Sequence, residues 1–118
     1  MTEIWHNPRC SKSRQTLALL GERGIAPTIR LYLADAPDAA EIRKVLAEAG
    51  LPAIALMRRG EATFRELGLS KDSAEADLIA AMVAHPVLIE RPVVRHAGKA
   101  ALGRPPEAVL ALFAPEGS

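Results

Sequence analysis

The chain contains few of the residues on which several classes of binding site depend. Its 118 residues include one cysteine and three histidines, with no spacing typical of metal ligands, so we expect no bound metal. Aromatic residues make up 3%, too few for the stacking platforms that bind single-stranded nucleic acid. The net charge is +1 without a long basic run, which argues against a protein that binds phosphate backbones.

Long apolar segments are also missing from the sequence. No stretch approaches the roughly 18 apolar residues that a membrane span needs, and the N-terminus has no signal-peptide core. A lone cysteine is typical of a reducing compartment, and it cannot form a disulfide within the chain. We therefore expect a cytoplasmic protein without membrane or nucleic-acid partners, and we take a monomer as the working expectation.

The apolar pattern and the turn signals predict one α/β domain over residues 1–118. Its first part is a βαβ unit and its last part is a ββα unit, which together indicate a thioredoxin-like fold with a mixed four-stranded sheet. Helices over about residues 38–86 form an insertion between these parts, and residues 114–118 are expected to fray. The predicted elements are a central strand at 3–6, a helix at 11–22, a strand at 28–33, a strand from 91 with a hairpin turn at 96–99, and a final helix at 106–113.

The sequence also predicts one buried strand face and two helix caps. Alternating apolar residues in the second strand predict that one of its faces is buried. The residues of that face are Ile29, Leu31 and Leu33. Asp38 lies three residues before a glutamate, which predicts a cap for the first helix of the insertion. Asp72 or Ser73 is expected to cap the last helix of the insertion.

Cys10 lies at the predicted corner between the first strand and the first helix. The positive end of the helix dipole, together with nearby Arg9, Lys12 and Arg14, favours the thiolate, which is the reactive form. The alternative is a buried structural cysteine, since free cysteine is among the most buried residue types. The polar and basic neighbours favour a reactive thiol. Because the chain has no resolving cysteine, any second thiol must come from a partner.

Other residues could complete an anion site around this thiol. Arginine side chains suit oxyanions because they form bidentate contacts, although each could instead be solvated surface charge. The candidates are Arg58, with Arg59 as its competitor, Arg91 and Arg104. Pro92 is either an edge-strand proline or a cis-proline beside the thiol. His6 is either a satisfied strand-end histidine or, in its cationic form, a group that helps to hold the thiolate.

Six blocks of the sequence, at residues 6–14, 31–33, 55–58, 66–69, 85–94 and 103–107, resemble a known family when they are taken together with their spacing. They are similar to the glutathione- and glutaredoxin-coupled bacterial arsenate reductases, the ArsC-like proteins, and the similarity extends over residues 4–113. The loop Asn-Pro-Arg-Cys-Ser-Lys-Ser-Arg is most similar to a chromosomal, YfgD-like branch. The wider thioredoxin-fold family also includes regulators similar to Spx.

The resemblance implies a role for each matching residue. Cys10 would be the nucleophile on arsenate, and the oxyanion would be held by Arg58, Arg91 and Arg104. The supporting residues would be His6, which is credited with lowering the cysteine pKa, the cis-proline Pro92, and Ser13 and Arg14 in the cysteine loop. Ser13 stands where Spx-like regulators often carry a second cysteine, so its presence favours the reductase.

The same resemblance implies the electron donors. Glutathione would be the co-substrate and glutaredoxin a protein partner, with no cofactor bound to the chain. The alternatives are an ArsC-like thiol reductase that acts on another substrate, and an Spx-like regulator that binds a protein partner without arsenate activity.

Overall fold

A mixed four-stranded sheet forms around the first strand of the chain. The computed structural model describes residues 2–113. Strand β1 (Thr2–Trp5) pairs in parallel with β2 (Thr28–Arg30) and antiparallel with β3 (Val93–His96), which pairs antiparallel with β4 (Lys99–Leu102). The strand order is therefore β2-β1-β3-β4. This confirms the predicted α/β, thioredoxin-like fold, in which a βαβ part is followed by a ββα part and β1 is central.

The helices lie close to their predicted positions. In residues 2–113 they are α1 (Ser11–Glu22), α2 (Ala39–Ala49), α3 (Ala62–Glu66), α4 (Glu75–Ala84) and three 3₁₀ helices (Ala53–Leu56, Pro86–Leu88 and Pro106–Phe113). The last segment was expected to be an α-helix, but Ala108 N–H donates to Pro105 O at 3.0 Å, which is the shorter 3₁₀ connection. Within this described part of the chain, no helix is long and apolar enough to cross a membrane.

The described residues group into two compact units. The first comprises residues 2–32 and 91–113, and it contains the whole sheet, α1 and the last 3₁₀ helix. The second comprises residues 33–90, with α2, α3, α4 and the other two 3₁₀ helices. The expected fraying of residues 114–118 concerns residues outside the described range.

The first unit is held together by an apolar cluster on one face of the sheet. Ile4 of β1 and its cross-strand partner Val94 of β3 meet Leu20 of α1 and Val109 of the last 3₁₀ helix, and all four are fully buried. Full burial of a side chain of this size stabilises a fold by about 1.5–3 kcal/mol. The cluster fixes α1 across the sheet, so that its first turn directly follows the loop at the end of β1.

In the second unit, α4 contributes several buried apolar side chains. It buries Leu78, Ile79 and Met82 and packs against α2 and the two short 3₁₀ helices. Two hydrogen bonds join residues 56–58 to residues 88–90. The N–H of Arg58 donates to Leu88 O at 2.8 Å, and a second bond of 2.6 Å forms beside it between Glu90 N–H and the carbonyl of Leu56.

The predicted buried face of the second strand is wrong. Ile29, Leu31 and Leu33 are 50%, 47% and 49% exposed, whereas Tyr32 is fully buried. Ile29 aligns with Ile4 in the sheet register, but β2 is the outermost strand on that side. Leu31 and Leu33 follow the end of β2 at Arg30, so the alternation of a strand no longer sets their direction.

The two predicted helix caps have different outcomes. Asp38 caps α2 as expected, because its side chain accepts the N–H of the glutamate three residues on at 2.8 Å. The cap predicted at Asp72 or Ser73 is wrong, since α4 begins at Glu75 without a side-chain cap. Ser73 Oγ accepts Ser70 N–H at 2.9 Å, and Asp72 N–H donates to Ser70 Oγ at 3.1 Å. These polar groups form a turn before the helix and do not cap it.

Candidate active site

Cys10 lies where the loop after β1 becomes helix α1. It directly precedes Ser11, the first helical residue, and has an extended backbone with φ −93° and ψ 123°. Its N–H donates to Asn7 O at 3.0 Å, and its carbonyl accepts Arg14 N–H at 3.0 Å. Asn7 Oδ1 also accepts the N–H of Arg9 at 3.0 Å. These local bonds hold the sulfur at the N-terminus of α1.

Two arginines from the distant C-terminal part of the same unit approach this loop. Arg104 Nη2 lies 3.9 Å from Cys10 Sγ, and Arg104 Nε donates to the carbonyl of Arg91 at 3.0 Å. Arg91 is joined to the buried Pro92 by a cis peptide bond, so the cis alternative for this proline is the one observed. The structure thus brings Arg91 and Arg104 to the thiol, although they are far from it in sequence.

The surroundings of Cys10 favour its thiolate. The residue is only 9% exposed, and this burial, the largest single effect, raises the pKa of the thiol. The thiol makes no capping hydrogen bond to α1, yet the backbone N–H groups of Ser13 and Lys12 lower its pKa. The positive charges of Arg91 and Arg104 lower it as well. Together the lowering effects outweigh burial, so the pKa of Cys10 lies below its ordinary value.

His6 contacts the cysteine loop through Ser13. Its Nδ1 lies 2.6 Å from Ser13 Oγ, and both side chains are buried. Ser13 Oγ also accepts the N–H of Asn7 at 3.0 Å, so its own proton is available to donate to a neutral imidazole. Burial lowers the pKa of His6, and the charge of Arg14 lowers it further. These contacts favour a neutral His6. They disfavour the alternative in which a cationic His6 helps to hold the thiolate.

The other two predicted site residues make different contacts. The exposed Arg14 donates from Nη1 to the carbonyl of Pro8 at 2.9 Å, so its side chain supports the shape of the loop. Arg58 belongs to the second unit, where its Nη1 lies 2.7 Å from Glu61 Oε1. Its role in binding an anion therefore stays a prediction from the resemblance.

Close packing behind Arg104 was not predicted from the sequence. Gly103 N–H donates to Pro92 O at 2.9 Å. A Cβ atom on Gly103 would lie 2.5 Å from Thr16 Oγ1 and 2.6 Å from Pro92 Cγ, so only glycine fits without a shift. A second cis peptide bond, between Arg104 and Pro105, was also missed. The repeated Arg-Pro pair was the only signal that could have suggested it.

In chemical terms, the first unit places a thiol at a helix N-terminus beside guanidinium groups. A thiolate at a helix N-terminus, next to guanidinium groups, can attack an electrophilic oxyanion while its charge is spread over several donors. In residues 2–113, no group of three or more histidine, cysteine, aspartate or glutamate side chains is arranged to hold a metal ion.

The chain is similar to known proteins over most of its length. The ArsC family model matches residues 5–112. The YfgD protein of Escherichia coli (strain K12), named as uncharacterized, is 52% identical over 110 residues, which are 92% of each chain. A protein of Neisseria meningitidis serogroup A named arsenate reductase is 46% identical over 113 residues, or 94% of this chain and 97% of that one. The structure of an arsenate reductase from Vibrio cholerae superposes with a TM-score of 0.91 at 46% identity, covering 94% of this chain and 96% of the other.

Proposed function

The chain belongs to the ArsC family, and from that premise we propose that it is an arsenate reductase that uses Cys10 as its nucleophile. One observation carries the proposal most directly, namely the 3.9 Å approach of Arg104 Nη2 to the Cys10 sulfur, whose pKa is lowered. A partner-binding regulator has no evident need for a guanidinium group at a thiolate. An enzyme that must bind an oxyanion at its nucleophile does need one.

In the first step, the Cys10 thiolate attacks the arsenic of arsenate. A sulfur–arsenic bond forms, and one arsenic oxygen leaves as water after protonation, which gives a thiol-arsenate adduct. Arg91, Arg104 and the first N–H groups of α1 stabilise the negative charge on the remaining oxygens. The role proposed for Arg58 rests on the sequence and the resemblance, and the Arg58→Ala variant tests it.

The second stage needs two electrons, which this chain cannot supply because it contains one sulfhydryl group. Glutathione then adds to the adduct: a second sulfur–arsenic bond forms, and another arsenic oxygen leaves as water. A glutaredoxin thiol attacks the glutathione sulfur, which breaks this second sulfur–arsenic bond and leaves its electron pair on arsenic. The two donor thiols leave as one mixed disulfide, arsenic(V) becomes arsenic(III), and hydrolysis releases arsenite and the Cys10 thiolate. In total, arsenate and two thiols give arsenite, one disulfide and one water.

This scheme requires no cofactor bound to the chain and uses glutathione as a co-substrate. In this proposal a reducing cytoplasm supplies that thiol.

A coupled assay tests the proposal. Arsenate-dependent oxidation of NADPH is followed with glutathione, glutaredoxin and glutathione reductase supplied. Wild-type protein should show an arsenate-dependent rate, and Cys10→Ser should show none. If the wild type has no such rate, the arsenate reductase proposal is wrong, and a thiol reductase acting on another substrate becomes the better reading.

Arginine variants test the anion site in the same assay. Arg91→Ala and Arg104→Ala should each raise the KM for arsenate by about tenfold or more, since a hydrogen bond to a charged group contributes about 1.5–3 kcal/mol. Arg58→Ala tests the assignment made from the resemblance. Arg43→Ala, which removes an exposed arginine of α2, is the matched control and should behave as wild type. Wild-type kinetics in any of the first three variants would remove that arginine from the proposed site.

A further inference from the structure

Gly103 is a point at which the segment that carries Arg104 touches helix α1. A Cβ atom on this glycine would lie 2.5 Å from Thr16 Oγ1, 2.6 Å from Pro92 Cγ and 3.1 Å from Pro92 Cδ. At each of the other glycines in residues 2–113, a Cβ atom would meet nothing within 4 Å. The close approach is therefore particular to the corner that follows β4.

Thr16 presents a fixed surface on the helix side of this contact. Its side chain is fully buried, and its Oγ1 donates to Lys12 O at 2.8 Å. It belongs to the buried stripe of α1, between Ser13 at the cysteine loop and Leu20 in the apolar cluster. Because the hydrogen bond and these two neighbours hold the same face of the helix, Thr16 cannot move easily away from Gly103.

Hydrogen bonds fix the sheet side of the contact. Gly103 directly follows β4, and its N–H donates at 2.9 Å to the carbonyl of Pro92, which directly precedes β3. One residue further from the sheet on each chain, Arg104 Nε donates to the carbonyl of Arg91 at 3.0 Å. The position of Gly103 is thus passed on to the guanidinium group of Arg104.

The two sides of the contact also meet at the thiol. From α1, the backbone N–H groups of Lys12 and Ser13 act on Cys10 and lower its pKa. From the other side, Arg104 Nη2 lies 3.9 Å from Cys10 Sγ. The sulfur therefore lies between α1 and a guanidinium group whose own chain rests on α1 at Gly103.

We infer that Gly103 is a positioning residue for Arg104, and that its contact with Thr16 sets the distance between the guanidinium group and the Cys10 sulfur. The inference rests on the proposed function, because the same guanidinium group binds the oxyanion there. Gly103 and Thr16 touch neither the substrate nor the sulfur in this account, and they act through Arg104 alone.

The size of the effect follows from the contact distances. The methyl group of an alanine at position 103 must move from 2.5 Å to at least 3.4 Å from Thr16 Oγ1, where ordinary contact begins, which is a shift of about 0.9 Å. The same shift carries Arg104 away from the sulfur, starting from 3.9 Å. By Coulomb's law at an effective dielectric constant of about 20, the thiolate fraction below the pKa falls roughly fourfold.

Alkylation of Cys10 by iodoacetamide tests this positioning without any substrate. The rate is measured against pH for the wild type, Gly103→Ala, Arg104→Ala and the variant that carries both substitutions. Gly103→Ala should move the pH midpoint upward and lower the rate below the midpoint roughly fourfold. Gly21→Ala, where a Cβ atom meets nothing within 4 Å, is the matched control and should leave the midpoint in place.

The double variant separates positioning from a general loss of structure. In the Arg104→Ala background, Gly103→Ala should cause no further change of the midpoint, because the group through which it acts is gone. Thr16→Val provides the same test if Gly103→Ala does not fold, since a methyl group larger than the hydroxyl presses on an unchanged Gly103. An unchanged midpoint in the folded variant, or an equal shift with and without Arg104, would overturn the inference.

The coupled assay gives a second readout. Gly103→Ala should raise the KM for arsenate by less than Arg104→Ala does, because the guanidinium group is displaced and not removed. If arsenate is not reduced but the alkylation midpoints shift as expected, the positioning is supported and the arsenate proposal is wrong. If arsenate is reduced and Gly103→Ala has the wild-type midpoint and KM, the positioning is wrong and the arsenate proposal is supported.

Discussion

Replacing Gly103 by alanine should destabilise the protein, because the new methyl group has no space. It would lie 2.5 Å from Thr16 Oγ1 and 2.6 Å from Pro92 Cγ, well inside ordinary contact distances. Neither neighbour moves easily, since Thr16 is buried and donates to Lys12 O at 2.8 Å, and Pro92 O holds the N–H of residue 103. Overpacking of this kind costs about 1–3 kcal/mol. At about 4 °C per kcal/mol, the Tm should fall by roughly 4–12 °C.

Urea and thermal unfolding followed by circular dichroism measure this effect, with Gly21→Ala as the matched control. Gly21 is exposed in α1, and a Cβ atom there meets nothing within 4 Å. Alanine at that position should stabilise the protein by about 0.5–1 kcal/mol, since glycine is the weaker helix former. Opposite signs for the two substitutions support the packing argument. A Gly103→Ala variant as stable as the wild type would refute it.

Three further predictions concern single side chains. Arg104→Ala should raise the pKa of Cys10, so the pH midpoint for alkylation by iodoacetamide should move upward, whereas Arg43→Ala should leave it in place. His6 has a lowered pKa in the fold, so the stability from its neutral form is full above the ordinary histidine pKa of about 6.5 and is lost as the pH falls through the lower folded value. The urea midpoint of the wild type should therefore fall more steeply below that pH than the midpoint of His6→Gln, and parallel curves would contradict a buried neutral histidine. Asp38→Ala should cost about 1 kcal/mol in urea unfolding while Asp38→Asn keeps most of the stability, and equal losses would exclude a capping role.

The parts of the fold that the sequence predicted correctly depend on local rules. Helix α1 begins after a polar loop and ends before Gly24, which has φ +75°. The hairpin between β3 and β4 turns at Ala97 and Gly98, both with positive φ, as a two-residue turn requires. Such signals lie within a few residues of the structure that they specify.

The errors arose where tertiary context decides. The alternation at Ile29, Leu31 and Leu33 has the period of a half-buried strand, but an edge position and an early strand end leave these side chains exposed. Asp72 and Ser73 are good capping residues, but Ser73 Oγ accepts Ser70 N–H in the preceding turn, and α4 begins only at Glu75, after Ala74. Sequence patterns report the preference of a segment and cannot report what covers it.

The candidate site divides in the same way. The position of Cys10 at a helix start follows from local pattern. The sequence also marks Arg58, Arg91 and Arg104 as candidates for an anion site, and the resemblance gives the same three residues that role. The fit of Gly103 and the hydrogen bond from Ser13 to His6 depend on distances between segments, which no local pattern encodes.

The hydroxyl group of Ser13 has a consequence for oxidative damage. It occupies the position three residues after Cys10 and is fixed there by His6 and Asn7, so no neighbouring sulfur can capture an oxidised Cys10. A sulfenic acid formed there by peroxide can be rescued by an external thiol or trapped by a backbone nitrogen, and otherwise progresses irreversibly to sulfinic acid. The lifetime of this protein under oxidant stress therefore depends on the concentration of small thiols around it.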